Sequence, residues 1–486
     1  MNTKLLKQKI LDLAIRGKLT QQLKSDGTAA DLLKQISEQK RESSSTLSSP
    51  RRRGSPSSSA AKTIIPLDKS EAPFEIPANW EWVRLGDVAK KITDGTHHSP
   101  VNLETGDFMY VTAKNIKDDG IHLENITYVS SDTHKEIFAR CNPEKGDVLL
   151  IKDGATTGVV TVNNLEEPFS LLSSVALLKL GSSIESWYLA FVIRSTLFNQ
   201  MIRSQMKGVG ITRVTLKQIE SFAFPLPPLA EQQRIVEKIQ EAFAEIDSIE
   251  NNKELLKTHI KQARQKILDL AIHGKLVPQN KSDEPASVLL ERITRDNPHY
   301  EKLTDVPFEI PESWEWVKLG DVVEINPKNK LDDNLEVSFI PMNLIEAGYS
   351  NRHKQESRFW KDIKKGFTHF AENDVALAKI SPCFENRKSA IMKNLKNGYG
   401  AGTTELFVFR SSNVMLPSYL LWIIKSDDFI QAGTGNFSGV VGQQRLSREI
   451  VENYHIALPP LAEQKRIVNK IDEIFASLDE ISLHLV

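Results

Sequence analysis

From residue 229 to 273 the chain contains neither Gly nor Pro, and apolar side chains recur at helical spacing: Val236, Ile239, Phe243, Ile246, then Ile249, Leu256, Ile260, Ala263, Ile267 and Leu270. That pattern lays an apolar seam along one face and predicts a coiled-coil helix over 229–273. The short step from Ile246 to Ile249 breaks the heptad, so a local change of supercoil is expected there. Pro227-Pro228 opens the helix and Gly274 closes it, the favoured place for each. Its 45 residues would extend about 67 Å at ~1.5 Å per residue, more than one compact core needs. Elsewhere the pattern is strand-like, as in Asp147 to Ile151 and Leu406 to Phe409, with Gly- and Asn-rich turns between. Helical stretches follow at 187–198 and 419–429. The expected fold class is therefore α+β.

The pattern occurs twice. Lys9 to Leu19 returns as Lys266 to Leu276 with Arg16 changed to His273; Pro73 to Val83 returns in outline as Pro307 to Val317; Leu226 to Gln232 returns unchanged as Leu458 to Gln464. The offsets are 257, 234 and 232, which places a 23-residue insertion in the first linker. That linker holds Ser43-Ser44-Ser45, Arg51-Arg52-Arg53 and Ser57-Ser58-Ser59, a composition expected to stay disordered. Between the repeated frames lie interiors that agree only as a skeleton: Val111 to Ile116 falls on Phe339 to Leu344, and Gly146-Asp147-Val148 on Asn373-Asp374-Val375. Identical frames around unlike interiors predict one fold reused with two surfaces.

The expected division is an N-terminal helical segment (1–36), a Ser/Arg linker (37–63), a first α+β region (64–225), the central long helix (226–276), a linker (277–306), a second α+β region (307–457) and a C-terminal helix (458–486). Residues 461–486 match the first part of the central helix and residues 1–16 its last part. The duplication thus reads as a circular, pseudo-twofold arrangement cut open inside one of two long antiparallel helices. It predicts that Met1 and Val486 lie close together.

Composition narrows the function. The net charge of −1 is low for a free-standing DNA binder, though local basic patches suffice for contact, or partners can supply it. Two cysteines, Cys141 and Cys383, make no disulfide framework and no zinc motif, which fits a reducing cytosol. No apolar run is long enough to span a membrane, and the N-terminus does not read as a signal peptide. The sequence has no phosphate-binding Gly-x-x-x-x-Gly-Lys-Ser/Thr loop, no Gly-x-Gly-x-x-Gly and no Asn/Asp-Pro-Pro-Tyr/Phe motif. No catalytic residues, metal ligands or cofactor site are expected.

Polar loops after strands are the candidate places for contact with a phosphate or a base edge. In the first region the candidates are Thr96, His97 and His98 of the loop Asp94 to Pro100, then Lys114, Asn115, Lys152, Thr156, Thr157 and Arg213. In the second they are Asn343, Lys379, Arg387, Gln443, Gln444 and Arg445. Loop N–H groups can cradle phosphate, and Arg and Gln can read guanine and adenine through paired hydrogen bonds. The bland reading of each is an ordinary turn or an internal ion pair. Trp80, Trp82, Trp314 and Trp316 are read as a packed sheet face.

These motifs resemble those of the Type I restriction–modification specificity subunit. The helix start Leu-Pro-Pro-Leu-Ala-Glu-Gln at 226 and 458 is similar to that family's hallmark. So are Lys-Ile-Leu-Asp-Leu-Ala-Ile-x-Gly-Lys-Leu at 9 and 266, the Trp-Glu-Trp-Val segments, and Asp94-Gly95-Thr96-His97. The resemblance implies two target recognition domains, each reading half of a bipartite double-stranded DNA site, with the long helices as spacer. It also implies docking to two methyltransferase subunits, which hold S-adenosylmethionine, and through them to ATP-dependent restriction subunits. Two rivals stay open: a stand-alone pseudo-dimeric DNA-binding protein, and a methyltransferase fused to its own reader.

Overall fold

The Gly- and Pro-free stretch folds as one helix of 44 residues, Leu229–Ile272. Ile235, Val236, Ile239, Ile246, Ile260, Leu268 and Ala271 are buried along it. The seam is interrupted where the heptad breaks: Ile249 and Leu256, expected inside, are 48% and 39% exposed. At ~3.6 residues per turn they stand about 60° and 80° round the helix from Ile246, whereas Ile260 returns to about 40°. Gly274 takes φ +68 just past the helix, and Gly17 takes φ +64 at the matching place after the helix Thr3–Ala14. A Cβ there would lie 2.5 Å and 2.3 Å from the Cγ of Pro311 and Pro77. The repeated Gly-Lys-Leu and the repeated Ile-Pro thus pack against each other.

The computed structural model describes residues 2–46, 64–68, 70–205, 213–294, 303–437 and 444–485. It separates into two units, Met1–Asn251 and Asn252–Val486, whose boundary lies inside the long helix. In the first unit the helix Thr3–Ala14 runs antiparallel to the first half of the long helix, with Thr3 bonded to Glu250, Lys7 paired with Asp247 and Lys7 over Phe243. In the second unit the last part of the long helix runs antiparallel to the C-terminal helix Leu461–Leu483: Arg264 pairs with Asp479 at 2.5 Å and stands over Phe475.

The sheets repeat as well. Glu81–Arg84 pairs with Ala223–Leu226, and Glu315–Lys318 with His455–Leu458, in the same register. Each unit then has a four-stranded sheet. In the first the spatial order is Lys91–Asp94, Val175–Lys179, Val148–Ile151, Val160–Val162; in the second it is Val323–Ile325, Leu406–Ser411, Val375–Ala378, Ser389–Ile391. The units part company in the outer sheet. The first has three strands around Phe108–Val111, and the second has four around Glu336–Phe339 and Tyr399–Gly402. The shared frame and the divergent interior are thus separate layers.

Why the motif Leu-Ala-Glu-Gln recurs unchanged is visible in its hydrogen bonds. Glu231 is fully buried and accepts from Trp80 Nε1 at 2.9 Å, Gln22 at 2.9 Å and Asn79 at 3.3 Å. Gln232 accepts from the Glu185 N–H and donates to the Pro227 and Ser183 carbonyls. In the second unit Glu463 accepts from Gln279 at 2.6 Å, and Gln464 accepts from the Leu416 N–H and donates to the Val414 and Pro459 carbonyls. Arg234–Asp26 and Arg466–Asp283 add matching ion pairs, each at 2.6 Å. The same side chains bolt each α+β region to its helix.

Two expectations on boundaries change. The helix Ala29–Thr46 runs well past residue 36, into the segment expected to be disordered; residues 47–63 lie outside the described part. The helical stretches 187–198 and 419–429 each break in two, at Ser195 and Ser426, whose hydroxyls take the N–H of Phe198 and Phe429 and so cap a second helix. The expected closeness of Met1 and Val486 concerns residues outside the described part.

Candidate nucleic-acid interface

Asp94 ends a strand of the central sheet and is 2% exposed. Its carboxylate meets Arg140 at 2.6 Å, Lys152 at 3.4 Å and His97 at 3.2 Å. A buried carboxylate of this kind needs Arg140 and Lys152, because a charge left unpaired inside is costly. It therefore ties the loop 94–100 to the helix Ser131–Arg140 and to the loop that begins at Lys152. Gly95 follows because the strand passes against Leu171: a Cβ there would fall 1.8 Å from the Leu171 oxygen. Thr96 then bonds through its backbone to Leu171 and Ser173, and its hydroxyl caps His98. His97 and His98 are left exposed at the loop tip.

The second loop, Asp153 to Gly158, is a turn closed by the Thr157 hydroxyl on the Gly154 carbonyl at 2.7 Å, with Thr156 exposed. Val214 N–H bonds the Lys152 carbonyl, so exposed Arg213 stands beside this turn. The equivalent place in the second unit repeats the backbone pattern: Leu446 N–H bonds the Lys379 carbonyl, and Ser381 N–H bonds the Gln444 carbonyl. The side chains differ. Arg445 makes a paired contact with Glu405, at 2.9 and 3.0 Å, and Lys379 stands 5.3 Å over the Phe407 ring. Asn343 is exposed on the short turn Met342–Leu344.

Four candidates do not face outward. Lys152 is 6% exposed and paired with Asp94 and Asp153. Asn115, 5% exposed, folds its own turn: its oxygen accepts from Thr112 and its amide donates to the His122 carbonyl. Thr157 is buried in the turn above. Arg387 pairs with Asp427, donates to the Lys425 carbonyl and lies over Tyr349. Asn115 and Thr157 are spent on closing their own turns, whereas Lys152 and Arg387 are turned inward by carboxylates from distant segments, Asp94 and Asp427, which no local pattern reveals. Gln443 lies outside the described residues. Thr96, His97, His98, Lys114, Thr156 and Arg213 in one unit, with Asn343, Lys379, Gln444 and Arg445 in the other, are exposed or half-buried.

The expected packed role of the tryptophans agrees with their burial, since Trp80, Trp82, Trp314 and Trp316 are all 7% exposed or less. Sequence reasoning missed a cleft of about 550 Å³ between the loop 94–100 and the outer sheet of the first unit, lined among others by Tyr110, Lys114, Lys117, Asn125 and Ser174. Its walls come from four stretches of chain, around residues 99–102, 110–117, 122–127 and 172–174, and only their meeting makes the cleft. Among the described residues no cluster of three His, Cys, Asp or Glu is placed to hold a metal, and no helix is long and apolar enough to cross a membrane.

Comparison with known proteins places these observations. The family model described as the Type I restriction modification DNA specificity domain matches residues 77–258 and again 311–483. The chain is 45% identical over 238 residues to the specificity subunit of the Type I restriction enzyme EcoAI from Escherichia coli; that match takes in 46% of this chain and only 40% of the relative's length. It is 22% identical over 413 residues to the EcoKI specificity subunit of Escherichia coli K12, covering 84% of each. The crystal structure of the HsdS subunit from Thermoanaerobacter tengcongensis has a similar fold: TM-score 0.52, 17% identity, 86% of this chain and 94% of that one.

Proposed function

The chain belongs to the Type I restriction modification DNA specificity family, with two such domains, and on that premise we propose that it reads a bipartite duplex, one half-site per domain. The observation that carries this is the contrast between the bolted frame, whose Glu, Gln and Arg contacts recur in both units, and the divergent outer sheets and loop tips. One scaffold holding two unlike surfaces suits a target with two unlike halves. Each wrong base pair costs roughly 1–3 kcal/mol, so two short halves read together discriminate usefully. The first domain offers His97, His98, Thr156 and Arg213; the second offers Asn343, Lys379, Gln444 and Arg445.

The chain acts without chemistry of its own. An adenine must leave the stack to be methylated, and the sequence carries no methyltransferase motif. Two methyltransferase subunits, holding S-adenosylmethionine, supply that step, and restriction subunits using ATP join through them, in the cytoplasm. The test is a methylome of cells expressing this chain with its methyltransferase subunit, beside cells lacking the chain. The expected result is a two-part adenine motif present only with the chain, and no methyl transfer by the purified chain alone. Methyl transfer by the single chain would sink the reading in favour of a fused enzyme. Binding of a bipartite site by the free chain, with no modification in any complex, would favour a stand-alone DNA-binding protein.

A further inference from the structure

We infer that the cleft beside Tyr110 in the first unit is a phosphate clamp, which seats one backbone phosphate of the first half-site; this rests on the functional reading above. Two of the residues that line it, Tyr110 and Ser174, carry hydroxyls, Oη and Oγ, that are buried and have no hydrogen-bond partner among the described residues. Buried hydroxyls are ordinarily partnered, so a pair left open in one cavity marks where a ligand supplies the acceptor. Tyr110 is 2% exposed, and burial pushes its phenol up to about 12, so it keeps its proton to donate. Lys114 and Lys117, both exposed, line the same cleft, and neither has an ion-pair partner among the described residues. Asn125 also lines it, and among the described residues Glu124 is the one carboxylate that does.

Shape selects phosphate over base. Duplex DNA is convex, and its outermost groups are phosphates; base edges lie in grooves that only a protruding loop or element can enter. A concave site ringed by donors therefore receives the backbone, while the loop tips at His97, His98 and Thr156 remain free to enter a groove. The second unit does not repeat this lining. In the parallel ladders Tyr110 pairs with Ser170 as Ser338 pairs with Gly400, so Ser338 takes the place of Tyr110. Its hydroxyl donates to Gln355 at 2.6 Å and accepts from the Lys396 N–H at 2.8 Å, which satisfies it internally. The clamp is thus particular to the first half-site.

The test uses the full chain assembled with its methyltransferase subunits, and a duplex carrying the motif found by the methylome. Single methylphosphonate linkages, each removing one phosphate charge, are walked through the first half-site. Lys114→Gln and Lys117→Gln should each weaken binding severalfold, and the two together should reduce the slope of log K against log salt by about 0.9, the share of one phosphate. Tyr110→Phe and Ser174→Ala should weaken it about threefold, equally across single-base variants of the half-site. One linkage that costs the wild type about tenfold should cost the Tyr110→Phe/Lys114→Gln/Lys117→Gln variant far less. Retained reading of the second half-site shows that the variants fold. Unchanged affinity in all four single variants, with an unchanged slope in the lysine pair, would overturn the clamp, and so would a base preference relaxed at one position, which would make the cleft a base reader. A wild-type complex that binds no bipartite duplex would instead count against the functional reading.

Discussion

At the scale of single residues, the two units place different chemistry on equivalent positions, and Lys425 is the sharpest case. It is fully buried where the first unit has Arg194, and its ammonium meets the carbonyls of Gly348 at 2.5 Å and Arg387 at 3.0 Å. Burial, with the neighbouring Arg387 guanidinium, brings it down to about 7. Its unfolded value is about 10.4, so between those limits the unfolded chain binds more protons and stability rises with pH. The penalty is fully present below about pH 7 and gone above the unfolded value. Denaturant unfolding of Lys425→Met should show a flatter rise between pH 7 and 10 than the parent; equal slopes would mean that the two carbonyls keep the lysine charged. Gly274 offers a second measurement. Alanine there meets a left-handed backbone, costing about 1–2 kcal/mol, and crowds Pro311, costing about 1–3 kcal/mol more. Gly366, at φ +79 with open space around it, should lose only the first part on Gly366→Ala, and urea midpoints of the two variants separate the contributions.

At the scale of elements, the long helix tests how the apolar seam is phased. Ile246 is 4% exposed and Ile249 48%. Ile246→Ala should cost about 2–5 kcal/mol, whereas Ile249→Ala should stay within about 0.5 kcal/mol; similar losses would contradict the turn of the seam at the heptad break. Elements of this kind were largely legible in the sequence, because a repeated frame states its boundaries twice. Pro227, Gly274 and the Leu-Pro-Pro-Leu-Ala-Glu-Gln segments each mark the same junction in both copies. Even so, the roles of Glu231 and Gln232 were not legible, since their partners Trp80, Gln22 and Ser183 are far off in the chain. The candidate interface was legible only as a set of loops. A charged residue such as Lys152 or Arg387 announces polarity but not direction, and the Asp94 and Asp427 carboxylates that turn these two inward come from other segments. Tyr110 carried no signal at all, because an aromatic residue in a strand ordinarily fills a core.

At the scale of the whole molecule, the duplication makes the domains separable in principle and the long helix the element they share. Replacing residues 73–225 by the equivalent region of a relative should change one half of the methylated motif and leave the other, because the bolting residues Glu231, Gln232 and Arg234 lie outside the exchanged segment; a change in both halves would contradict one half-site per domain. The helix itself belongs to both units, since the division at Asn251 falls within it. The segment there, Glu250-Asn251-Asn252-Lys253-Glu254, is polar and exposed or half-exposed, so added residues there disturb no core. A heptad keeps the apolar phase nearly constant, because seven residues turn the helix through almost two full turns. It would lengthen the helix by about 10 Å at ~1.5 Å per residue. If the helix sets the separation of the half-sites, the gap in the methylated motif should grow by about three base pairs, at ~3.4 Å each, with both halves unchanged. Inserting four residues instead advances the apolar face by about 40° at ~3.6 residues per turn, and should impair modification rather than add a proportionate gap. A methylome of each insertion decides the matter: an unaltered gap with intact modification would mean that some other element is the ruler.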